Sequence, residues 1–151
     1  MPNLDPIISQ YVAEGLHCFS QRLFFAAAVM FGAAAEKAVL ILLQSITDTT
    51  TNAQRRGELA NLLDRPRLPS IFESVRDELD RAIRDGTIPY EVHKGSKKHV
   101  LSLFETIRVQ RNDAVLPQGG QVEKTKGFLT IQSFPAALEL AYRLTGWFEA
   151  R

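Results

Sequence analysis

The sequence predicts an all-α protein, a bundle of four or five main helices that forms a single domain over residues 1–151. Three observations favour this fold class. Apolar residues recur at helical spacing along most of the chain, no segment shows the sustained alternation of a half-buried strand, and short connections separate the periodic segments. With 151 residues, of which 45% are hydrophobic, the chain can build one compact core but is too short for two ordinary domains.

The first predicted helix begins at Asp5 and Pro6, a pair that is typical of an N-cap followed by the first helical position. We expect this helix to end at a break near Gln21 and Arg22. Residues at helical spacing form its apolar side: Ile8, Tyr11, Val12, Gly15 and Phe19.

The second predicted helix is the central one and runs from this break to about Ser45. It is strongly apolar and must therefore be compared with a membrane span. Glu36 and Lys37 interrupt it, and neither uncharged piece approaches the roughly 20 residues that a bilayer requires. We therefore interpret it as the central helix of a bundle that is contacted on several sides, and we expect no membrane partner.

The middle of the chain predicts a loop and two more helices. Residues 47–52 are polar and lack an apolar period, which predicts a mobile loop, and residues 53–63 predict a short helix. After a connector over residues 64–69, the next helix is predicted to begin at Ser70, because Glu73 completes a capping box three residues later.

Gly86 is expected to end that helix. A short extended link is predicted over residues 88–92, and Ser96 is a candidate N-cap for the following helix. That helix, which we expect Pro117 to stop, carries an arginine on its apolar side: Val100, Leu103, Phe104, Ile107, Arg111, Ala114 and Val115.

The last predicted helix opens at residues 133–135. The segment before it, residues 122–131, fits either a helical turn or an extended piece. The helix itself shows an apolar stripe at helical spacing: Phe134, Leu138, Ala141, Leu144 and Phe148.

Two charged residues fall on stripes that should be buried. Arg111 continues the apolar side of its helix, and Glu36 lies among Val29, Ala33 and Leu40 on the central helix. A buried charge is costly unless it is paired. We therefore predict an ion pair between Glu36 and Arg111, which either fixes the register of two helices or holds the guanidinium toward a phosphate.

Three segments together resemble the HEPN superfamily, the helical domains named for nucleotide binding in higher eukaryotes and prokaryotes. The first covers residues 14–19 and 26–37, the second residues 108–115, and the third residues 132–136 with 142–144. The order and spacing of the segments, which span most of the chain, carry the resemblance. It implies a HEPN-like helical bundle, and it implies dimerisation, which is common in this superfamily.

The resemblance also implies a chemistry. Many members are metal-independent ribonucleases whose motif is an arginine, a polar residue and, a few residues later, a histidine near the end of a helix. The arginine stabilises phosphate charge, and the histidine transfers protons as the RNA 2′-hydroxyl attacks. Other members are non-catalytic binding or assembly modules, and many belong to bacterial toxin–antitoxin or antiviral systems.

In this chain Arg111 matches the motif arginine and Asn112 the polar residue beside it, while Leu116 stands at the histidine position. Leucine can neither accept nor donate a proton, and general acid–base catalysis contributes about 10²–10⁴-fold to a rate. We therefore expect ribonuclease activity to be degraded or absent. An active endoribonuclease is the alternative, and it would use Arg111 and Asn112 with Asp113, the only titratable residue beside the arginine.

Several basic residues are candidates for a phosphate path, above all Arg108, Lys97 and Lys98. The two lysines fall in the first turn of the predicted motif helix, where positive charge is unfavourable for the helix dipole. The alternative is a solvated charged face. Other basic residues with the same two interpretations are Lys94, Arg55 and Arg56.

Overall composition limits the classes of partner. The formal net charge is +1, so any anion site must be local. The N-terminus lacks the basic and apolar regions of a signal peptide, and we expect a cytoplasmic protein. Cys18 is expected to be a buried, inert thiol. The histidines and carboxylates show no metal-ligand spacing, so we expect neither a metal nor a cofactor.

The sequence therefore predicts a HEPN-like homodimer that binds RNA, a nucleotide or a partner protein such as an antitoxin. Two alternatives remain open at this point. One is the active metal-independent endoribonuclease, and the other is an assembly module that never contacts nucleic acid.

Overall fold

A computed structural model of the protein describes residues 4–115 and 124–151, apart from the side chains of 97, 98, 110, 112–115, 124–128 and 130. The described ranges consist of helices and short connections and contain no strand, so the all-α prediction is confirmed. Within these ranges, seven α-helices and one π-helical turn follow one another: α1 (Pro6–Ser20), α2 (Phe24–Thr49), α3 (Ala53–Asp64), α4 (Leu68–Arg84), α5 (Tyr90–His93), the π-helical turn (Ser96–Val100), α6 (Leu101–Val115) and α7 (Lys124–Glu149).

The chain divides into two compact units, and the long helices α2 and α7 contribute to both. Unit 1 comprises residues 1–37 and 102–138, and unit 2 comprises residues 38–101 and 139–151. The assignment of one domain to residues 1–151 stays a prediction.

The core of unit 1 is built around aromatic residues and alanines. Phe31 and Phe134 pack edge to face, with ring centroids 5.5 Å apart, and Phe104 is fully buried. Small residues let the helices approach closely, since α2 and α7 both bury alanines in this unit: Ala27, Ala28, Ala34, Ala35 and Ala137.

The core of unit 2 is aliphatic, with Phe72 and Phe148 as its buried aromatic residues. Helix α4 buries one face at helical spacing, formed by Ile71, Phe72, Val75, Leu79 and Ala82.

Helix α1 has the predicted N-cap. Asp5 Oδ1 accepts hydrogen bonds from the backbone N–H groups of Ile7 and Ile8 at 2.9 and 3.2 Å. The predicted break after α1 is also confirmed. Arg22 adopts a left-handed φ of 61°, and the backbone N–H of Leu23 donates to Cys18 O at 2.9 Å, which closes the end of the helix.

Replacing Asp5 with Ala should lower the free energy of unfolding by about 1 kcal/mol, because two backbone donors lose their acceptor. Urea unfolding followed by circular dichroism measures this change. Asp5→Asn is the matched control, since asparagine caps about as well and should leave stability nearly unchanged. A loss of the same size in Asp5→Asn would show that the carboxylate charge matters and not the cap.

Helix α2 is longer than predicted, and the prediction of a loop over residues 47–52 is wrong for its first half. The helix continues to Thr49, and Thr47 is buried. The threonine hydroxyls bond back to carbonyls of their own helix, since Thr47 Oγ1 donates to Leu43 O at 2.7 Å and Thr49 Oγ1 to Ser45 O at 2.9 Å. A polar sequence therefore continues the helix.

By length and composition alone, α2 could cross a membrane, because it has 26 residues and an apolar stretch of 18. In the structure 56% of that stretch is buried against the rest of the chain. The central helix of a soluble bundle shows the same combination of length, composition and burial.

The predicted capping box at Ser70 is wrong. Helix α4 begins two residues earlier at Leu68, with Arg67 as an N-cap that makes no side-chain cap bond. Pro69 lies in the first turn, where its missing N–H costs nothing, so it starts the helix instead of delaying it.

The predicted extended link over residues 88–92 and the predicted N-cap at Ser96 are also wrong. Pro89 is the N-cap of the one-turn helix α5, whose backbone bonds include Lys94 N–H to Tyr90 O at 2.7 Å. Ser96 is the first residue of the π-helical turn and follows Gly95, whose φ is 82°. Its hydroxyl donates to His93 O at 2.6 Å and so ties the turn to α5.

The last helix does not open at residues 133–135, as the proline suggested. Helix α7 starts at Lys124 and passes through Pro135. A proline inside a helix removes one backbone hydrogen bond. Here it lies on the exposed side, while Phe134 and Leu138 bury the other side of the helix, so packing maintains the helix across the proline.

Candidate functional site

The candidate site lies in unit 1, where α6 carries Arg111 and α2 carries Glu36. Arg111 Nη2 contacts Glu36 Oε1, so the predicted ion pair is present in the structure. The two helices lie far apart in sequence, and the pair joins them directly. The two charged residues that helical spacing placed on inward-facing stripes therefore pair with each other.

The pair is only partly buried, whereas the apolar stripes that carry the two residues predicted buried positions. The side chain of Arg111 is 25% exposed and that of Glu36 is 20% exposed. On α2 the most buried residues of this unit are Phe31, Ala34 and Ala35, whereas Glu36 shares its half-buried side with Ala33. The pair thus lies at the border of the core, where part of each side chain still reaches solvent.

A second arginine lies close to the pair. Arg108 precedes Arg111 by one helical turn on α6, is 17% exposed, and forms an ion pair with Glu105 on the same helix. Its charge also acts on Glu36, since Arg111 and Arg108 both lower the pKa of that carboxyl. Two guanidinium groups and two carboxylates therefore form one connected cluster, which we call the Arg111 cluster.

One donor of this cluster is unused. Arg111 Nε is buried and has no hydrogen-bond partner among the residues that the structure describes. A buried N–H without an acceptor costs free energy comparable to a lost hydrogen bond. An oxygen that reached this edge of the guanidinium would satisfy it.

The carboxyl of Glu36 has a raised pKa. Burial raises it above the ordinary value of 4.5, and the positive charges of Arg111 and Arg108 offset only part of this effect. Burial therefore disfavours the charged form of Glu36 more than the two arginines favour it.

The raised pKa of Glu36 predicts how the free energy of unfolding depends on pH. Glu36 titrates near 4.5 in the unfolded chain and at a higher pH in the folded protein, so the folded state binds more protons between the two values. The contribution of Glu36 to the free energy of unfolding should therefore fall as pH rises through this interval, and stay constant above the folded pKa.

Urea unfolding of the wild type and of Glu36→Gln across this interval measures the effect, because glutamine does not titrate. As pH rises from 4.5, the free energy of unfolding of the wild type should fall relative to that of Glu36→Gln. If the free energy of unfolding of the wild type rises instead relative to that of Glu36→Gln, Arg111 and Arg108 lower the pKa of Glu36 by more than burial raises it.

Other residues predicted for the site lie partly outside the described structure. The backbones of Asn112 and Asp113 belong to α6, but their side chains are not described, and Leu116 lies outside the described residues. Lys97 and Lys98 belong to the π-helical turn of unit 2, and their side chains are likewise not described. The structure thus brings together Glu36, Arg108 and Arg111 of the predicted set.

The histidines do not contribute to this cluster. His17 and His99 are exposed and His93 is half-buried. Within the described ranges, no group of three histidine, cysteine, aspartate or glutamate residues could hold a metal ion. None of the three histidines is a described partner of Arg111.

Unit 2 contains a polar cavity that sequence reasoning did not foresee. It has a volume of about 590 Å³ and is lined by residues that include Thr50, Asn52 and Arg81. Arg55, a candidate for the phosphate path, donates from Nε to Glu78 Oε1 at 2.7 Å and also pairs with Glu58. Its charge therefore links α3 to α4. Sequence spacing indicates only the pair within α3, Arg55 with Glu58, and not the partner on α4.

Comparisons of this chain with protein-family models, with curated proteins and with solved structures give no match. The likeness to the HEPN superfamily consequently depends on the residues of this chain alone. The assignment to this superfamily stays a prediction from the sequence.

Proposed function

We propose that this chain is a HEPN-like domain that binds RNA, a nucleotide or a partner protein, with ribonuclease activity that is degraded or absent. One observation carries the proposal. Arg111, which matches the motif arginine, is held by Glu36 of α2 near the end of α6. We further propose that the protein is cytoplasmic and belongs to a bacterial toxin–antitoxin or antiviral system, as the resemblance implies.

The chemistry of the Arg111 cluster supports phosphate as the ligand group. A guanidinium presents its donors in a rigid plane that matches two oxygens of a phosphate. Glu36 restricts the motion of this plane, so less conformational entropy is lost when an anion binds. Arg111 Nε is buried and has no partner among the described residues, so it would gain an acceptor if the cluster opened to such an oxygen.

The proposal of a homodimer is supported by exposed apolar side chains. Of the seven large hydrophobic residues that are exposed within the described chain, six belong to unit 1. Val109 lies on α6, two residues before Arg111, and is 43% exposed. The other five are Ile7, Leu16, Leu23, Phe25 and Leu129. Contiguous exposed apolar surface is typical of interfaces between subunits, and we propose that Val109 on α6 contributes to such a surface beside Arg111.

Binding of a labelled single-stranded RNA tests the proposed function. Arg111→Ala should weaken binding by about 10–100-fold, because a charge-assisted hydrogen bond contributes about 1.5–3 kcal/mol. Arg84→Ala is the matched control, since Arg84 is an exposed arginine on α4 and its removal changes the net charge equally. Equal losses in both variants would mean that only overall charge matters.

The same assay separates binding from catalysis. We expect the wild type to retain the RNA without cleaving it, because the motif histidine is replaced by Leu116. If the wild type cleaves RNA and Arg111→Ala abolishes cleavage, the active endoribonuclease that uses Asn112 and Asp113 is the correct function.

A second candidate function is the assembly module, and the charges of the Arg111 cluster favour it. Each of the two guanidinium groups already contacts a carboxylate, Arg111 with Glu36 and Arg108 with Glu105, so the cluster carries no excess positive charge. A wild type that binds no RNA at low salt would support this alternative. RNA binding that depends on salt and is lost when Lys97 and Lys98 are both replaced would count against it.

A further inference from the structure

Gly32 on α2 lies directly under the aliphatic part of Arg111. A Cβ atom built on Gly32 would lie 2.5 Å from Arg111 Cδ, 2.7 Å from its Cβ and 2.9 Å from its Cγ. Non-bonded carbon atoms come to rest at about 3.5–4.0 Å, so no side chain fits at Gly32 while Arg111 keeps its place. Only glycine permits this approach of α6 to α2.

The contact with Arg111 Cβ decides how such a clash could be relieved. Cγ and Cδ could move away by a change of rotamer, but Cβ is fixed to the backbone of α6. A side chain at position 32 must therefore displace α6 itself and not merely turn the arginine. Two other helical glycines differ, because a Cβ at Gly57 or at Gly146 would meet nothing within 4 Å.

Gly32 and Glu36 are four residues apart on α2 and consequently lie on the same side of the helix. One face of α2 thus provides a gap for the stem of Arg111 and, one turn later, a carboxylate for its guanidinium. The stem and the head of the arginine are both placed by α2.

We propose that Gly32 is a positioning residue, which sets where the guanidinium of Arg111 lies and so determines anion binding at the Arg111 cluster. The role of Gly32 in anion binding rests on the proposed function, whereas its role in placing Arg111 does not. A methyl group at position 32 pushes α6 outward, separates Arg111 from Glu36 and turns the guanidinium away from its present direction.

The first experiment reads the placement of Arg111 without any RNA. The pKa of the Glu36 carboxyl is measured by carbon-13 NMR in the wild type, in Gly32→Ala and in Arg111→Ala. Because Arg111 lowers this pKa, we expect it to rise in Gly32→Ala by at least half of the rise seen in Arg111→Ala. Gly57→Ala and Gly146→Ala should leave it unchanged, and an unchanged pKa in Gly32→Ala overturns the proposal.

The second experiment covers the case in which Gly32→Ala folds poorly. In a chain that carries Arg111→Gly, all three clashing carbons are absent. Adding Gly32→Ala to Arg111→Gly should therefore leave the melting temperature equal or higher, since alanine is a better helix former than glycine. If Gly32→Ala lowers the melting temperature as much in the Arg111→Gly background as in the wild-type background, the alanine clashes with something else and the proposal fails.

The third experiment measures binding of the labelled single-stranded RNA to Gly32→Ala and to Gly57→Ala. The proposal predicts a loss of affinity in Gly32→Ala of at least tenfold, and none in Gly57→Ala. If the pKa of Glu36 rises in Gly32→Ala while RNA affinity stays at the wild-type value, Gly32 does place Arg111 but the cluster is not the RNA site. That result overturns the anion-binding role of Gly32 and of the Arg111 cluster, and it leaves the placement of Arg111 standing. The proposed RNA binding itself would be contradicted by a different result, a wild type that binds no RNA.

Discussion

Replacing Leu116 with His is expected to raise the rate of RNA cleavage by about 10²–10⁴-fold, the usual contribution of a positioned general acid or base. The reason is the resemblance to HEPN ribonucleases, in which a histidine at this position transfers the proton of the 2′-hydroxyl. Four residues separate Arg111 from Leu116, which places Leu116 at the histidine position of the motif. Cleavage of a labelled RNA under single-turnover conditions measures the gain.

Two control variants make this result specific. Leu116→Gln introduces a polar side chain that does not titrate near neutral pH, and it should leave the rate at the wild-type level. Combining Leu116→His with Arg111→Ala should remove most of the gain, because the arginine stabilises the charge that develops on the phosphate. A folded Leu116→His protein without any cleavage would mean that the resemblance is limited to the helical architecture.

Replacing Glu36 with Ala should lower the free energy of unfolding by about 3 kcal/mol, the lower end of the range for breaking a buried pair, because both side chains are partly exposed. The loss arises since the guanidinium of Arg111 stays between the helices without its carboxylate. Glu36→Gln should cost much less, because the amide oxygen still accepts a hydrogen bond and burial already disfavours the carboxylate.

Chemical unfolding of four proteins tests this prediction: the wild type, Glu36→Ala, Arg111→Ala and the double variant. The two losses should not add, and the interaction free energy should be about 0.5–3 kcal/mol, as for residues in direct contact. Glu73→Ala, at an exposed glutamate of α4, is the control and should change stability by less than about 0.5 kcal/mol. If Glu36→Ala unfolds like the wild type, the pair contributes nothing to the fold.

The ion pair itself could be predicted from the sequence. Helical spacing placed Arg111 and Glu36 on inward sides of two helices, and the high cost of a lone buried charge leaves mutual pairing as the simplest solution. Helical spacing does not predict how deeply these two side chains are buried. The half-buried position of Glu36 depends on which side of α2 each neighbouring helix covers.

Helix ends were harder to predict, because the same residue types act in more than one way. Ser70 and Glu73 fit a capping box, yet Pro69 fits the first turn equally well and starts α4 earlier. Pro135 can open a helix or interrupt one, and only the burial of Phe134 and Leu138 shows that α7 passes through it. Threonines such as Thr47 favour loops unless their hydroxyls bond back to the helix.

The sequence does not reveal which contact Gly32 makes. A glycine inside a helix costs about 1 kcal/mol relative to alanine, so its presence indicates some compensating contact without naming it. Only the packing of α6 on α2 shows that the partner is the stem of Arg111. Gly32 therefore affects both the packing of α6 on α2 and the position of Arg111 in the candidate site.

Nitrogen-15 NMR of the Arg111 Nε–H group during titration with a short single-stranded RNA tests the central claim most directly. We propose that the guanidinium of Arg111, which Glu36 holds between two helices, binds the anion, and its Nε has no partner among the residues that the structure describes. The Arg111 resonance, identified by its loss in Arg111→Lys, should shift and saturate at the same RNA concentration as binding itself. RNA binding that saturates while this resonance stays unmoved would contradict the account.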